Sequence, residues 1–459
     1  MKKNVTLNES GNSSQWSGKF GFLMAAVGSA VGLGNIWRFP YLTGQNGGAI
    51  FLIAYILMIV LIGFSLMIAE FAIGRHAAKN VIDAYGVKKK GWGFVGVISC
   101  IASFLIVSYY CVIGGWIIRY AVGYIGGGGF VAGGDYSTVF SSFTGSSWPP
   151  MLCLIAFMAV CLVVILLGVQ KGIERINKVL MPMLFVMLLF VMIVSLTMDG
   201  ALEGVKFFVV PDFDRVESSG GVFGIFLAAL GQAFYSLSIG LGIGTTYGSY
   251  ARKDISLVAN TGLICVSDTL VAMIAGFAIL PAVFAAGEEP TVGAGLVFVT
   301  LPAVFATLPG VLGCIVGAVF FLLVLFAAIT SAIALIEVNV SVMTEKLKLS
   351  RKWSAVIVVL AATLLGILVS VSQGGTLGGV DILDWFDKIS NTFFLPLAGI
   401  LTCIYVGYVW KPKNAIEEIT AHSENGTFKL GKLWSFNIRT VCPALIAVLF
   451  VYGIVDLFI

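Results

Sequence analysis

One carboxylate set alone in an oily stretch points to the chemistry of this sequence. Asp268 stands in Leu263–Leu280 with only Ser267 and Thr269 as polar neighbours. A charge at mid-bilayer depth costs roughly 2.5–3.5 kcal/mol even on lenient scales, so it needs a partner or a task. An acid placed this way suits a cation ligand or a proton carrier better than a solvated side chain. Asn35, Ser236, Thr330 and Ser331 add uncharged oxygens from other apolar runs, and hard monovalent cations are held by such oxygen shells. A sodium-type site assembled from several helices is therefore expected. An enzyme is not. His76 and His422 fall in charged loops, and no HExxH or CxxC spacing occurs. Cys100, Cys111, Cys153, Cys161, Cys265, Cys314, Cys403 and Cys442 lie in apolar stretches or at their edges, where reduced core thiols are expected.

Composition names the solvent of the scaffold that must position these groups. The 459 residues are 59% hydrophobic and 11% charged, with a mean hydropathy of +1.02. Soluble chains carry roughly a quarter charged residues, so an all-α integral membrane protein is expected, with the lipid bilayer as a partner. A formal charge of +4, dispersed over short loops, forms no basic stripe, and nucleic acid is not an expected partner. Apolar runs long enough to span a bilayer, about 20 residues each, fall near 20–43, 48–74, 93–125, 150–170, 176–198 and 221–248. Five more lie near 255–285, 310–343, 353–372, 382–410 and 439–458, giving eleven spans and termini on opposite faces. The longer stretches between them, at 126–149, 199–220, 286–309 and 411–438, read as loops.

Orientation follows from basic residues. With the amino terminus inside, the inside segments hold 22 of the 27 Lys and Arg residues, leaving Arg38, Arg119, Lys206, Arg215 and Lys388 elsewhere. The positive-inside rule thus places residues 1–19 in the cytoplasm as a tail, with no cleavable signal. Asn425-Gly-Thr427 and the amino-terminal sequons then face the cytoplasm as chance matches. Loop 199–220, with Asp199, Glu203, Asp212, Asp214 and Glu217, and the loop carrying Glu288 and Glu289 lie outside. Inside the spans the ionisable residues are Arg38, Glu70, Asp268, Glu337, Asp384, Asp387 and Lys388. Arg38 lies two turns beyond Gly32 toward the outside, and Asp384 and Asp387 begin span 10 at that level. A cross-helix ion pair there closes the outer path.

Spans 1 and 6 share an interruption, Gly32-Leu-Gly34 in one and Gly240-Leu-Gly242 in the other. Each opens a block of five spans, and an odd number per block inverts the second block in the membrane. Paired glycine-interrupted segments in two inverted halves point to a transporter's binding site. Glycine permits unwinding at about 1 kcal/mol in a helix interior, and unwound carbonyls at membrane depth persist only where they line a cavity or bind something.

These residues carry a resemblance. Gly28-Ser-Ala-Val-Gly-Leu-Gly-Asn-Ile-Trp-Arg-Phe-Pro40 with Asn46-Gly-Gly48, then Glu70-Phe-Ala-Ile-Gly-Arg75, Tyr109-Tyr110 with Trp116, Gly231-Gln-Ala-Phe-Tyr-Ser-Leu-Ser-Ile-Gly240, Ser249-Tyr250 with Arg252-Lys253-Asp254, and Ala327-Ala-Ile-Thr-Ser331 run in order. Over essentially the whole chain, the sequence resembles the neurotransmitter:sodium symporter family. The resemblance implies a LeuT-type 5+5 inverted repeat, with spans 1–5 in 20–198 and spans 6–10 in 221–410, followed by loop 411–438 and span 11 in 439–459. It implies a sodium-coupled amino-acid carrier in a prokaryotic plasma membrane, with two coupling Na+ ions. The first sodium falls to Ala30, Asn35, Ser236 and Asp268. The second falls to Gly28, Val31 and Ala327 carbonyls with Thr330 and Ser331 hydroxyls. The substrate carboxylate rests on Leu33 and Gly34 amides and Tyr110, in keeping with the free N–H groups and positive dipole of a half-helix amino end. Its ammonium meets carbonyls around Ala30, Tyr235 and Ser238, beside Ser236 and Ser331. Ile106, Tyr110, Tyr235, Leu241 and Leu335 wall the side chain.

Gly32 stands where monoamine carriers place an aspartate, so the ligand brings its own carboxylate, and an apolar or aromatic L-amino acid is expected. Asp268 replaces an asparagine frequent in the family, with Ala272 nearby, which implies chloride independence. The outer gate is assigned to Arg38 and Asp384, with Asp387 the alternative. The inner gate is expected around Trp16 and Glu345, with Ser13 where the family has arginine and Lys19, Lys2 or Lys3 as substitutes. The competing reading is a substrate-binding sensor of the same fold that has lost transport.

Overall fold

The computed structural model describes residues 15–127, 134–218, 221–288, 293–309, 311–374, 380–421 and 428–458. Lys2, Lys3, Ser13, Glu289, His422, Asn425 and Thr427 lie outside the described residues. Among those described there is no β-strand, as the uniformly apolar runs require, because each backbone polar group in lipid must be satisfied within its own segment.

The first apolar run is a bent pair, α1 (Lys19–Ala30) and α2 (Gly34–Gln45), meeting at 47°. Then come α3 (Ala49–Ala77), α4 (Gly93–Ile125), α5 (Trp148–Leu166) and α6 (Val169–Leu196). The sixth run divides into α7 (Gly221–Ser236) and α8 (Ile243–Ser249). After it lie α9 (Leu257–Ala285), α10 (Leu296–Thr307), α11 (Leu312–Lys346), α12 (Arg351–Ser372), α13 (Ile382–Trp410) and α14 (Gly431–Val455). Among the described residues nine helices are individually long and apolar enough to cross a membrane, and the α1–α2 pair passes as a tenth. At 16 and 7 residues, α7 and α8 are each too short to do so alone. The stretch read as a loop at 286–309 contains α10, an apolar helix of helical periodicity too short to register as a span.

Burial sorts the helices into an inner and an outer set. The long helices α4 and α11 pack along each other, and α1 lies against α11, α6 and α9. In the most apolar window of α4, 72% of residues are buried, against 28% in α6 and 17% in α14, so α14 has lipid around most of its circumference. That last helix starts at Gly431, before the apolar run expected from 439, because its polar first turns find partners on neighbouring helices. Trp434 Nε1 donates to Ser65 O at 3.1 Å, Asn437 Nδ2 to Ser65 Oγ at 2.8 Å and to Leu61 O, and Arg439 Nε to Gly407 O at 3.0 Å. Polar groups satisfied this way need no water.

The two interruptions have different backbones. After Ala30 the chain leaves the helical region at Val31, with ψ 102°, and a π turn over Gly34–Arg38 begins α2. Between α7 and α8, Ser238, Gly240 and Gly242 take φ of +54°, +83° and +74°. Two glycines accept this left-handed geometry freely, while Ser238 bears a Cβ penalty. Its hydroxyl donates to Ser29 O at 3.2 Å, joining the two breaks directly.

Candidate functional site at the paired helix breaks

Three of the four residues expected at the first cation position meet around Asp268, which is fully buried. Asn35 Nδ2 donates to Asp268 Oδ1 at 2.7 Å, and it also lies 3.1 Å from Asp268 O and 3.0 Å from Ser236 Oγ. Ser236 Oγ sits 2.8 and 2.9 Å from the two carboxylate oxygens. Tyr55 on α3 completes the set by donating its hydroxyl to Asp268 Oδ2 at 2.9 Å. An unpaired buried carboxylate is prohibitively costly, whereas one accepting from an amide, a hydroxyl and a phenol is tolerated. The arrangement brings the Asp268 carboxylate and the Ser236 and Tyr55 hydroxyl oxygens, from α9, α7 and α3, within one hydrogen-bond radius, with the Asn35 amide of α2 beside them. The amide Nδ2 faces the carboxylate while its Oδ1 accepts from the Gly32 amide at 3.0 Å, and such oxygens are the ligands of a hard-cation site. Tyr55 escapes sequence reading because it is a single hydroxyl inside Ala49–Met58, where nothing but reach distinguishes it from a packed aromatic.

Two further residues escaped it. Gln232, one helical turn before Ser236 and so on the same face, donates from Nε2 to Gly34 O at 2.8 Å and accepts at Oε1 from Arg38 at 3.3 Å. Glu70 was visible as an intramembrane acid with no assigned task. Its Oε1 accepts from the Gly240 amide at 2.8 Å, and a Cβ on Gly244 would lie 2.6 Å from Oε2. The carboxylate therefore caps the unwound stretch before α8, satisfying backbone that would otherwise be orphaned in the membrane.

A narrow cavity lies against both breaks. It is lined by Ala30, Leu33, Gly34, Ile106, Tyr110, Tyr235, Ser238, Leu241, Ser331 and Leu335, all expected substrate positions, together with Ser29, Gly32 and Ile243. Ser236, the remaining expected position, belongs to the Asp268 cluster instead. The Tyr110 and Ser331 hydroxyls are buried and lie within reach of each other and of the Leu33 backbone, but among the described residues neither makes a well-formed hydrogen bond. A Cβ on Gly32 would stand 2.4 Å from Ser331 Oγ and 3.5 Å from Tyr110 Oη, so both hydroxyls face the space that this glycine leaves open. Leu33 gives the start of α2 no side-chain cap. A helix amino end plus two such hydroxyls suits a small anionic group such as a carboxylate.

The second cation set is only partly assembled. α1, which carries Gly28, packs on α11, the helix of Ala327, Thr330 and Ser331, but Gly28 faces Asn177 and Met181 of α6, and Val31 lines a space with residues of α6 and α9. In this conformation Thr330 Oγ1 donates back to its own helix, to Ala327 O at 3.0 Å and Phe326 O at 3.1 Å. Gly28 admits no side chain, since a Cβ would fall 1.7 Å from Asn177 Oδ1, a buried oxygen without a partner.

The gate residues lie differently from expectation. Asp384 does not pair with Arg38: it is half-exposed and bound to Lys388 at 2.8 Å, one turn along its own helix. Asp387 faces inward, accepting from Tyr109 Oη and Asn391 Nδ2 at 2.8 Å each, and it is the aspartate that interacts electrostatically with Arg38. Arg38 lies over the Tyr235 ring at 4.9 Å, a cation–π contact roofing the cavity. On the opposite side, Trp16 is buried against Tyr247 and Tyr250 and donates Nε1 to Tyr247 O at 3.0 Å. Glu345 is not beside it; its carboxylate accepts from the Asn80 amide and side chain at 2.8 Å each. The buried acid at this level is Glu337, held by Arg351 at 2.6 and 2.8 Å and by Tyr250 Oη at 2.8 Å. The chain entering α1 is tied by Ser17 to Glu174, which also pairs with Lys178 at 2.5 Å.

Paired breaks around a narrow cavity, inside a shell of apolar outer helices, fit a multi-pass membrane carrier of the LeuT type. Comparison with known proteins makes this specific. The sodium:neurotransmitter symporter family matches residues 13–125 and 138–458. The "Uncharacterized sodium-dependent transporter YhdH" of Bacillus subtilis is 36% identical over 95% of this chain and 96% of its own. A "Sodium- and chloride-dependent betaine transporter" of Caenorhabditis elegans is 26% identical, covering 74% of this chain and 64% of that one. Among solved structures, MhsT in complex with L-phenylalanine superposes with a TM-score of 0.87 at 41% identity, covering 96% of this chain and 99% of that one. The chain belongs to the sodium:neurotransmitter symporter family. It is a sodium-dependent secondary transporter and not an enzyme.

Proposed function

We propose that the protein imports an apolar or aromatic L-amino acid with two sodium ions by alternating access, the cytoplasm holding its amino terminus. The observation that carries the substrate class is the pair of neighbouring buried hydroxyls on Tyr110 and Ser331, neither in a well-formed hydrogen bond among the described residues, which face the open space at Gly32 beside the uncapped start of α2. A monoamine lacks the carboxylate that this end of the cavity is built to receive. At the other end Ile106, Leu241, Ile243 and Leu335 offer only apolar surface. The phenylalanine bound to MhsT supports the same reading.

Ala30, Asn35, Ser236 and Asp268 would hold the first sodium, and Gly28, Val31, Ala327, Thr330 and Ser331 the second. Neutralisation follows: two cations offset the substrate carboxylate and an ionised Asp268, so uptake requires no chloride. After release both cations are gone, and a proton on Asp268 compensates its charge during the return of the empty carrier, which amounts to proton counter-transport. The test is uptake by sealed vesicles screened over the twenty amino acids, with sodium, chloride and an opposing pH gradient varied separately. Accumulation that requires sodium, ignores chloride and responds to the pH gradient supports the whole reading. A chloride requirement removes the role given to Asp268.

A further inference from the structure

Away from the transport path, the segment joining α3 to α4 forms a basic cavity of about 340 Å³ beside the end of α11. Lys79, Lys90 and Lys346 line it with a single acid, Asp83. Lys346 is spent on Asp83 at 2.5 Å. Burial alone would raise the Asp83 carboxyl, but hydrogen bonds from Lys346 and Asn80 outweigh it and hold the group below the usual carboxylate range. Glu345, the other acid nearby, lies outside the lining, keeps its charge and is oriented by the Asn80 amide and side chain. Lys79 and Lys90 form no ion pair among the described residues, Lys79 acting on Asp83 only at longer range, and three lysines against one aspartate leave the lining with a net charge of +2. Its shape is set by backbone: Gly91 turns the chain at φ +98°, and a Cβ on Gly96 would lie 2.5 Å from Ile82 Cα, so the short helix Val81–Gly86 packs directly on the start of α4.

The depth of this cavity is marked by aromatic rings. Trp92 contacts Phe94 and Tyr405, each at 5.7 Å between centroids, and Phe94 is 46% exposed, the placement of residues at a membrane–water boundary. From Phe94 an exposed apolar stripe continues through Val97 and Ile101, at i+3 and i+7 on one face of an otherwise buried helix.

We propose that this cavity binds the phosphate headgroup of an anionic phospholipid, with the acyl chains lying along the Phe94–Val97–Ile101 face of α4. A basic pocket opening above a lipid-facing stripe has two complementary surfaces for such a molecule, whereas a free phosphate ion would use only the lysines.

The test uses the purified full chain in neutral detergent and native mass spectrometry with phosphatidylglycerol, phosphatidylcholine or glycerol 1-phosphate. The wild type should bind phosphatidylglycerol in preference to phosphatidylcholine. Lys79→Gln/Lys90→Gln should bind it about thirty-fold more weakly, at roughly a factor of five per lysine near the surface. Lys79→Arg/Lys90→Arg, which keeps both charges, should bind like the wild type. Equal binding of the two lipids, unchanged binding in the Gln variant, or glycerol 1-phosphate binding as tightly as the lipid would each overturn the proposal, the last by reducing it to a solute anion site.

Discussion

Arg38 has two aspartates within its neighbourhood, and their surroundings decide which one matters for closure. Asp384 is bound to Lys388 at the surface, while Asp387 is fixed between Tyr109 and Asn391 above the cavity. Asp387→Asn should therefore cut transport strongly, and Asp384→Asn should leave it near wild type; the reverse ranking in an uptake assay removes Asp387 from the gate. An exposed pair such as Asp384–Lys388 contributes about 0–1 kcal/mol, so the Asn variant should also unfold normally. At the second cation position, replacing Thr330 and Ser331 together by alanine should abolish sodium-stimulated substrate binding, and unchanged sodium dependence would move that ion elsewhere. Tyr55→Phe removes one donor to Asp268 and should weaken the apparent sodium affinity several-fold without changing substrate preference, read by titrating sodium at fixed substrate. Asp268 was legible in the sequence as an acid alone in an oily run, whereas its grouping with Asn35 and Ser236 came from the family resemblance, since composition offered Thr330 and Ser331 equally. The Tyr55 contribution was not legible, since one hydroxyl among aliphatic residues looks like packing.

At the scale of the helix, the two interruptions are legible as Gly-Leu-Gly repeats, but their backbones are not. Sequence alone gives no sign that Ser238 adopts a left-handed φ, or that Glu70 from α3 caps the stretch between α7 and α8. Positions 240 and 242 require glycine for two reasons at once. Their φ values are +83° and +74°, and added Cβ atoms would lie 2.8 Å from Leu395 O and 3.1 Å from Val81 Cγ2. The left-handed conformation alone costs roughly 1–2 kcal/mol with a side chain, so Gly240→Ala should lower the melting temperature and impair uptake. Gly231→Ala and Gly262→Ala, where a Cβ meets nothing within 4 Å inside regular helix, should be neutral or stabilising by up to about 1 kcal/mol. Equal thermal stability of the Gly240 and Gly231 variants would show that the break between α7 and α8 tolerates an ordinary backbone. Helix α10, and the early start of α14, escaped sequence reading because a short apolar helix and a polar first turn both mimic loops until their packing partners are known.

For the whole molecule, the proposed mechanism is a balance of charge around a cavity at two helix interruptions that would open to either side in turn. In the function proposed above Asp268 is the fixed charge in that balance, so wild-type uptake should be independent of chloride and respond to an opposing pH gradient, and Asp268→Asn should make it chloride-stimulated and abolish the pH response. An Asn variant that keeps both wild-type properties would assign neutralisation to another group. The central claim is coupling itself, and the most direct measurement is concentrative uptake of radiolabelled L-phenylalanine by vesicles holding the purified protein in chloride-free buffer, driven only by an inward sodium gradient. Competition by each of the other amino acids identifies the preferred substrate in the same experiment. The account predicts accumulation above the external concentration that collapses when sodium is equalised across the membrane. Sodium-dependent binding of an amino acid that is never accumulated would contradict it and leave a sensor with a transporter's fold.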